Sequence, residues 1–267
     1  MTQTGRTSRG DLGYLSSRLS ERDRQIIRFV DRHRFATSSQ IRRVFFIGHA
    51  TQTAATRACI RVLDRLLTLR ILTRLERRVG GNRHGSAGFV WCLDVVGERL
   101  TRMDGAPRRR FHEPSYVFLS HTLALTDTHV TLREAQGAGE FVLSQIEIET
   151  EAWRPYLTPA GVKSMLKPDL KVTIANGDYE DHWYIEIDLA TESMPMLVRK
   201  CRAYEDYRHT GRAQAEYGVF PRVLWVMPAQ ARLSRSRDAI TAEKSLSERL
   251  FVFSTPDKLI TTLRDPP

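Results

Sequence analysis

With 267 residues and 41% hydrophobic side chains, the chain is long enough for two domains, or one large one, with properly buried cores. No apolar run approaches membrane-span length. The three scattered cysteines, Cys59, Cys92 and Cys201, lack zinc-site spacing and fit a reducing cytoplasm rather than a disulfide frame.

The net charge of +10 is unevenly spread: residues 1–110 hold 23 Arg, no Lys and 9 acids, about +14, and residues 111–267 hold 18 basic and 22 acidic residues, about −4. A basic first part followed by a mildly acidic second one points to a polyanion as the partner of the first. Residues 1–17 have no apolar signal core and read as a short flexible arm. Ser20 and Asp23 form a capping-box-like start, after which Ile26, Ile27 and Val30 recur, with Leu19, at helical spacing. A second helix opens at Thr37, with Gln40 three residues on and Ile41, Val44 and Phe45 as its apolar side. A third spans residues 53–70, with a stripe of Ala55, Cys59, Val62, Leu63 and Leu66, and with Arg57, Arg61 and Arg65 along another face. Residues 71–79 read as a strand, Gly80 to Gly85 as a flexible tip, 89–93 as the returning strand and 94–103 as a last helix.

Three short helices followed by a glycine-tipped hairpin is the order of a winged helix-turn-helix domain, here residues 18–105. Its third helix would lie in the major groove of duplex DNA. Thr51, Gln52, Thr53, Thr56 and Arg57 would then stand nearest the base edges, with Arg61 close by on phosphate or base. The wing residues Arg77, Arg78, Arg83 and His84 would reach backbone or minor groove, most of these arginines positioning the protein rather than reading sequence. The plainer alternatives are a solvated arginine surface, or a winged helix used for protein contacts.

Residues 106–113 break the pattern as a linker to a second domain, 114–267. A helix over 115–136 carries His121 and His129 too far apart for one metal, which makes them packing or phosphate-facing residues, and Glu134, a surface glutamate or an extra carboxylate. A strand at 141–149 sets Gln145, Glu147 and Glu149 on one side, and 151–167 reads as a loop crossing the sheet. Period-two alternation marks strands at 170–174 and 183–189, joined through Asn176-Gly177 by a loop longer than two residues. Pairing them places Asp169, Lys171, Glu186 and Asp188 on one face, a cluster costly to bury without partners or a metal. A helix at 195–208, a buried strand at 223–227, a polar helix at 232–244, a strand at 251–253 and a short final helix complete an α/β order with a mixed sheet. Tyr204 and Tyr207 lack the His-x-His partner of a nicking tyrosine and read as core or rim.

Pro168-Asp169 followed by Glu186-Ile187-Asp188 resembles the PD-(D/E)XK nuclease superfamily, which implies a restriction-endonuclease-like domain. The resemblance implies that Asp169 and Glu186 hold Mg²⁺ and that a lysine positions the nucleophile; Asp188 is a candidate further ligand. Asp188 stands where that pattern has its lysine, and Lys171 or Lys200 is a candidate replacement. Over nearly its whole length the chain also resembles the replication-relaxation family of plasmid and mobile-element proteins. That likeness rests on LSERDRQIIRFVDRHRFATSSQIRRVFF, TRACIRVLDRLLTLRILTRL, SHTLALTDTHVTLREA and KPDL…YIEIDLATES…K…Y. It implies double-stranded DNA of a mobile element as partner, alongside other replication or mobilisation proteins. Winged-helix proteins often pair as homodimers, although no heptad or apolar stripe here demands it. Two functions follow: a Mg²⁺-dependent nicking nuclease, or a non-catalytic initiator accessory or transcriptional regulator in which Asp188 pairs with a lysine or arginine.

Overall fold

The computed structural model describes residues 9–75, 88–102, 112–158, 160–176 and 179–266. The chain is α+β and divides into two compact units, Met1–Val130 and Thr131–Pro267.

In the first unit, α1 (Arg9–Arg18) is a helix where the sequence suggested a flexible arm. Leu12 and Leu15, three residues apart and so on one helix face, pack it against the core. α2 (Glu21–His33) starts at a true capping box, since Asp23 N–H donates to Ser20 Oγ at 3.2 Å and Ser20 N–H donates back to Asp23 at 2.8 Å. A two-residue strand, β1 (Ala36–Thr37), leads into α3 (Ser38–Phe45), whose box pairs Thr37 and Gln40 at 3.1 and 2.9 Å. α4 (Gln52–Thr68) is capped by Thr51 and buries Ala55, Cys59, Leu63 and Leu66, as the apolar spacing predicts, with Val62 half-buried. β2 (Leu72–Arg74) and β3 (Val90–Leu93) complete an antiparallel sheet in the order β1-β3-β2. α5 (Val95–Thr101) comes so close to the chain before β2 that a Cβ on Gly97 would stand 2.1 Å from the Ile71 carbonyl oxygen, so only glycine serves there. The glycine tip and the wing residues Arg77, Arg78, Arg83 and His84 lie outside the described residues.

α6 (Tyr116–Gly137) begins in the first unit, where the sequence reading set it wholly in the second. Leu119 and Leu123 cluster with Phe35, Leu75, Val90 and Cys92, Gln40 Nε2 donates to the Leu123 carbonyl at 2.9 Å, and Arg43 meets Asp127 at 2.5 Å. The division therefore falls inside α6 and not at residues 106–113, of which 112 and 113 alone are described. His129 is a packing residue: its Nδ1 lies 2.8 Å from Nε2 of buried His33, with Phe29 against both rings.

Burial pushes the His33 imidazole from a free histidine's 6.5 down to about 2, and the neighbouring His129 and Arg32 add to the effect. The folded state thus holds His33 neutral, so its contribution is complete above pH 6.5 and declines as pH falls below it. Between there and the folded value, each pH unit should cost about 1.4 kcal/mol of stability. Urea unfolding across mildly acidic pH checks this. His33→Gln keeps a polar group beside His129 and should flatten the pH slope by about that amount.

The second unit is built on a mixed five-stranded sheet in the order β10-β9-β8-β7-β4. β4 (Val142–Ile148), β7 (Leu170–Asn176) and β8 (Tyr179–Ile187) are antiparallel, and β9 (Arg222–Val226) and β10 (Phe251–Ser254) run parallel to β8. Between β4 and β7, where the sequence suggested a loop, β5 (Arg154–Leu157) and β6 (Lys163–Leu166) form a separate antiparallel hairpin. It buries Tyr156 and Leu166 inward while Leu157 and Met165 stay exposed, and Pro155 is tolerated because the ribbon has only two strands. Asn176 pairs with Tyr179, so two residues, not a longer loop, connect β7 to β8. α7 (Met194–His209) lays Leu197, Cys201, Tyr204 and Tyr207 onto a core with Tyr184, Val223 and Trp225. A short α8 (Arg212–Tyr217), not foreseen, follows, and α9 (Gln230–Thr241) and α10 (Leu259–Arg264) occupy the C-terminal positions expected of helices. Among the described residues no helix is long and apolar enough to cross a membrane.

Candidate functional site

Asp169 stands immediately before β7, and its Oδ2 accepts the N–H of Ile187 on β8 at 2.8 Å. Beyond that point the ladder pairs Leu170 with Ile185 and Lys171 with Tyr184. Side chains alternate along a strand, so Lys171, Tyr184 and Glu186 share one face. Glu186 is completely buried. Both of its oxygens are engaged by α7, with Lys200 Nζ 2.5 Å from Oε2 and the Tyr204 hydroxyl donating to Oε1. Lys200 and Tyr204 are four residues apart, the helical spacing that puts two side chains on one face. Burial pushes the Glu186 carboxyl up to about 8, Lys200 opposes this, and the neighbouring Asp169 charge adds to it. For Lys200, burial alone would favour the neutral amine, but Glu186 and Asp169 outweigh it and hold the ammonium charged.

Of the two lysines offered by the sequence, Lys200 is thus the one at Glu186. Lys171 is almost wholly buried and directs its ammonium to β4, 3.2 Å from Gln145 Oε1 and 3.3 Å from Glu147 Oε1, with the Tyr217 ring 4.3 Å away. Asp188 also has its own partner. Its Oδ2 accepts from Arg232 Nε at 2.7 Å, and its Oδ1 accepts the Ala190 N–H at 2.7 Å. Arg232 further donates to the Glu192 carbonyl at 2.7 Å. Asp188 and Arg232 together fix the turn from β8 to α7, in which Ala190 adopts the uncommon φ of +61°. Among the described residues no group of three or more His, Cys, Asp or Glu is placed to hold a metal, so Asp169, Glu186 and Asp188 do not form a three-carboxylate cage. Glu134 is exposed on α6, the surface position expected of it.

In the first unit, Thr51, Gln52, Thr53, Arg57 and Arg61 are exposed at the start and along one side of α4. Thr56 is half-buried and turns its hydroxyl back to the Gln52 carbonyl at 2.8 Å. Arg65, third in that arginine row, is used within the fold, with Nη2 2.5 Å from Asp23 Oδ1. Burial of Asp23 would raise its pKa, but the hydrogen bonds from Arg65 and Ser20 hold the carboxyl below its usual range.

The model of the replication-relaxation family matches residues 27–223, running from α2 into β9. The chain belongs to the replication-relaxation family. Neither a curated protein nor a solved structure matches it. In this replication-relaxation protein the matched span includes Asp169, Glu186, Asp188, Lys200 and Tyr204 but ends before Arg232. Sequence reasoning missed Tyr204 as the donor to Glu186, although its i, i+4 relation to Lys200 was there to find. It also missed which cation meets Asp188, for Arg232 lies 44 residues away and no local spacing points to it.

Proposed function

We propose that this protein acts on plasmid or mobile-element DNA in replication or relaxation, binding duplex through its first unit and nicking a strand at the Asp169–Glu186–Lys200 cluster of the second. The observation that carries the catalytic half is Lys200, which brings to Glu186 the ammonium that Glu186-Ile187-Asp188 lacks. The antiparallel β4-β7-β8 run joined through α7 to parallel β9 supports the restriction-endonuclease-like reading. Exposed Thr51, Gln52, Thr53, Arg57 and Arg61 on α4, in a unit of helices and a small antiparallel sheet, support the winged-helix reading. Arginine contacts to phosphate make the affinity strongly salt-dependent.

Mg²⁺ is the cofactor whose donor chemistry fits, because it takes oxygen ligands and commonly uses one or two carboxylates with water and substrate phosphate. Asp169 and Glu186 are such a pair, and Asp188 is not needed. The fit carries one condition: both Glu186 oxygens are already engaged, so Lys200 must release Oε2 before a metal can reach it. When bound, Mg²⁺ would polarise the scissile phosphate and activate water. The chain's own share is then clear. Asp169 is fixed through Ile187, Tyr204 steadies Glu186 Oε1, and Lys200, once off Oε2, would orient the attacking water and offset phosphate charge.

Two observations favour a second reading. Glu186 has no exposed surface and Asp188 is neutralised by Arg232, as befits a polar core in a non-catalytic initiator accessory or transcriptional regulator. Its second unit would then serve assembly with replication or mobilisation proteins, or with a second copy of the chain. Supercoiled plasmid incubated with Mg²⁺ or Mn²⁺ against EDTA decides between the two. The nuclease reading expects metal-dependent nicks that vanish in Asp169→Ala and Glu186→Ala. DNA retardation without nicking, abolished by Arg57→Ala with Arg61→Ala, would leave the binding protein.

A further inference from the structure

Away from Glu186, the second unit carries an open cleft of about 440 Å³ lined by Arg154 and Pro155 of β5, Tyr207 of α7, and Arg212, Ala215 and Glu216 of α8. Both arginines are anchored. Arg154 Nη1 donates to the carbonyls of Glu151 at 3.0 Å and Trp153 at 3.3 Å, and its Nη2 lies 2.5 Å from Glu147. Arg212 Nη1 donates to the Pro155 carbonyl at 2.7 Å, so the two guanidinium groups hold carbonyls of one short run of chain, residues 151–155. Behind them, Glu147 also serves Lys171 at 3.3 Å. One carboxylate is therefore shared between two largely buried cations. Arg212 adds a positive charge at the rim and Glu216 a negative one.

We propose that this cleft is a phosphate site, fitted to a singly charged phosphodiester of a nucleic-acid strand. Among the described residues Arg212 uses only Nη1 within the fold, so its Nε–Nη2 edge is the one that can meet two phosphate oxygens, and Arg154, whose two Nη atoms are already engaged, adds charge behind it. Glu216 makes the cleft selective, since a diester brings one charge past it and a clustered polyphosphate brings several. The nucleic-acid source rests on the DNA-processing reading above; the phosphate chemistry stands without it.

The test uses the full chain carrying Arg57→Ala and Arg61→Ala, so that α4 no longer dominates binding. One arm follows a short labelled oligonucleotide by fluorescence anisotropy, and the other titrates inorganic phosphate and pyrophosphate calorimetrically. Arg212→Ala, at an exposed position, should leave the unfolding temperature unchanged and weaken the oligonucleotide by about tenfold or more. Loss confined to inorganic phosphate and pyrophosphate upholds a phosphate site and assigns it to free small phosphates instead of a strand. Unchanged affinity for every probe in Arg212→Ala overturns the proposal. A wild-type chain that ignores DNA yet binds phosphate through Arg212 sinks the DNA reading and leaves the cleft standing, so the two can fail separately.

Discussion

Lys200→Met is expected to destabilise the protein by about 3–5 kcal/mol in alkaline solution and by much less in mild acid. Glu186 is completely buried, and Lys200 is its counter-charge. Methionine keeps most of the aliphatic stem and deletes the ammonium, leaving the carboxylate only the Tyr204 hydroxyl. With Lys200 in place the carboxyl already sits at about 8, and without it the value rises further. A carboxyl whose folded pKa exceeds the free value of 4.5 binds its proton more tightly in the folded chain. Stability is therefore highest below 4.5 and is lost as pH rises towards the folded value, with nothing further lost above it. In the variant that upper limit moves up, so the gap from wild type should widen with pH. Urea denaturation at a series of pH values measures it, and a gap independent of pH would show that Lys200 does not neutralise Glu186.

Arg232→Met should cost a similar amount, about 3–5 kcal/mol, because it strands Asp188 in the interior. Arg232 and Asp188 are both buried, with 2.7 Å between Nε and Oδ2, and the same guanidinium holds the Glu192 carbonyl. Pairing Arg232→Met with Asp188→Asn should recover much of the loss, since two neutral groups are cheaper than one orphaned charge. A double-mutant cycle by urea denaturation reads this coupling directly. It also separates two roles for Asp188. As a ligand for metal, its replacement by asparagine would abolish nicking and spare stability. Here Asp188→Asn is expected to lower stability and, on the nuclease reading, to leave metal-dependent nicking in place.

Much of the frame was legible where the information is local. Ser20 with Asp23 and Thr37 with Gln40 announce helix starts by chemistry confined to four residues, and both boxes are present. Alternation fixed the faces of β7 and β8, so Lys171, Tyr184 and Glu186 do share one side. What alternation cannot say is where a long side chain goes once its strand is flanked. Lys171 is drawn to Gln145 and Glu147 because β4 lies beside β7, a pairing across 24 and 26 residues. For the same reason α6 showed its apolar face without showing what covers it, and its first turns joined Phe35 and Val90. Pro155 argued against a strand and concealed β5, since a two-stranded ribbon leaves an edge on which proline costs nothing.

The bond from Ile187 N–H to Asp169 Oδ2 makes that carboxylate a rung that continues the β7–β8 pairing past its last regular residue. A side chain that is both scaffold and candidate ligand complicates its own knockout. Asp169→Ala deletes the charge and the rung together, and could silence the protein merely by letting the strand ends part. Asp169→Asn deletes the charge but keeps an oxygen able to take the same N–H. Only function lost in the asparagine variant, with unfolding behaviour like that of wild type, can be ascribed to the missing charge.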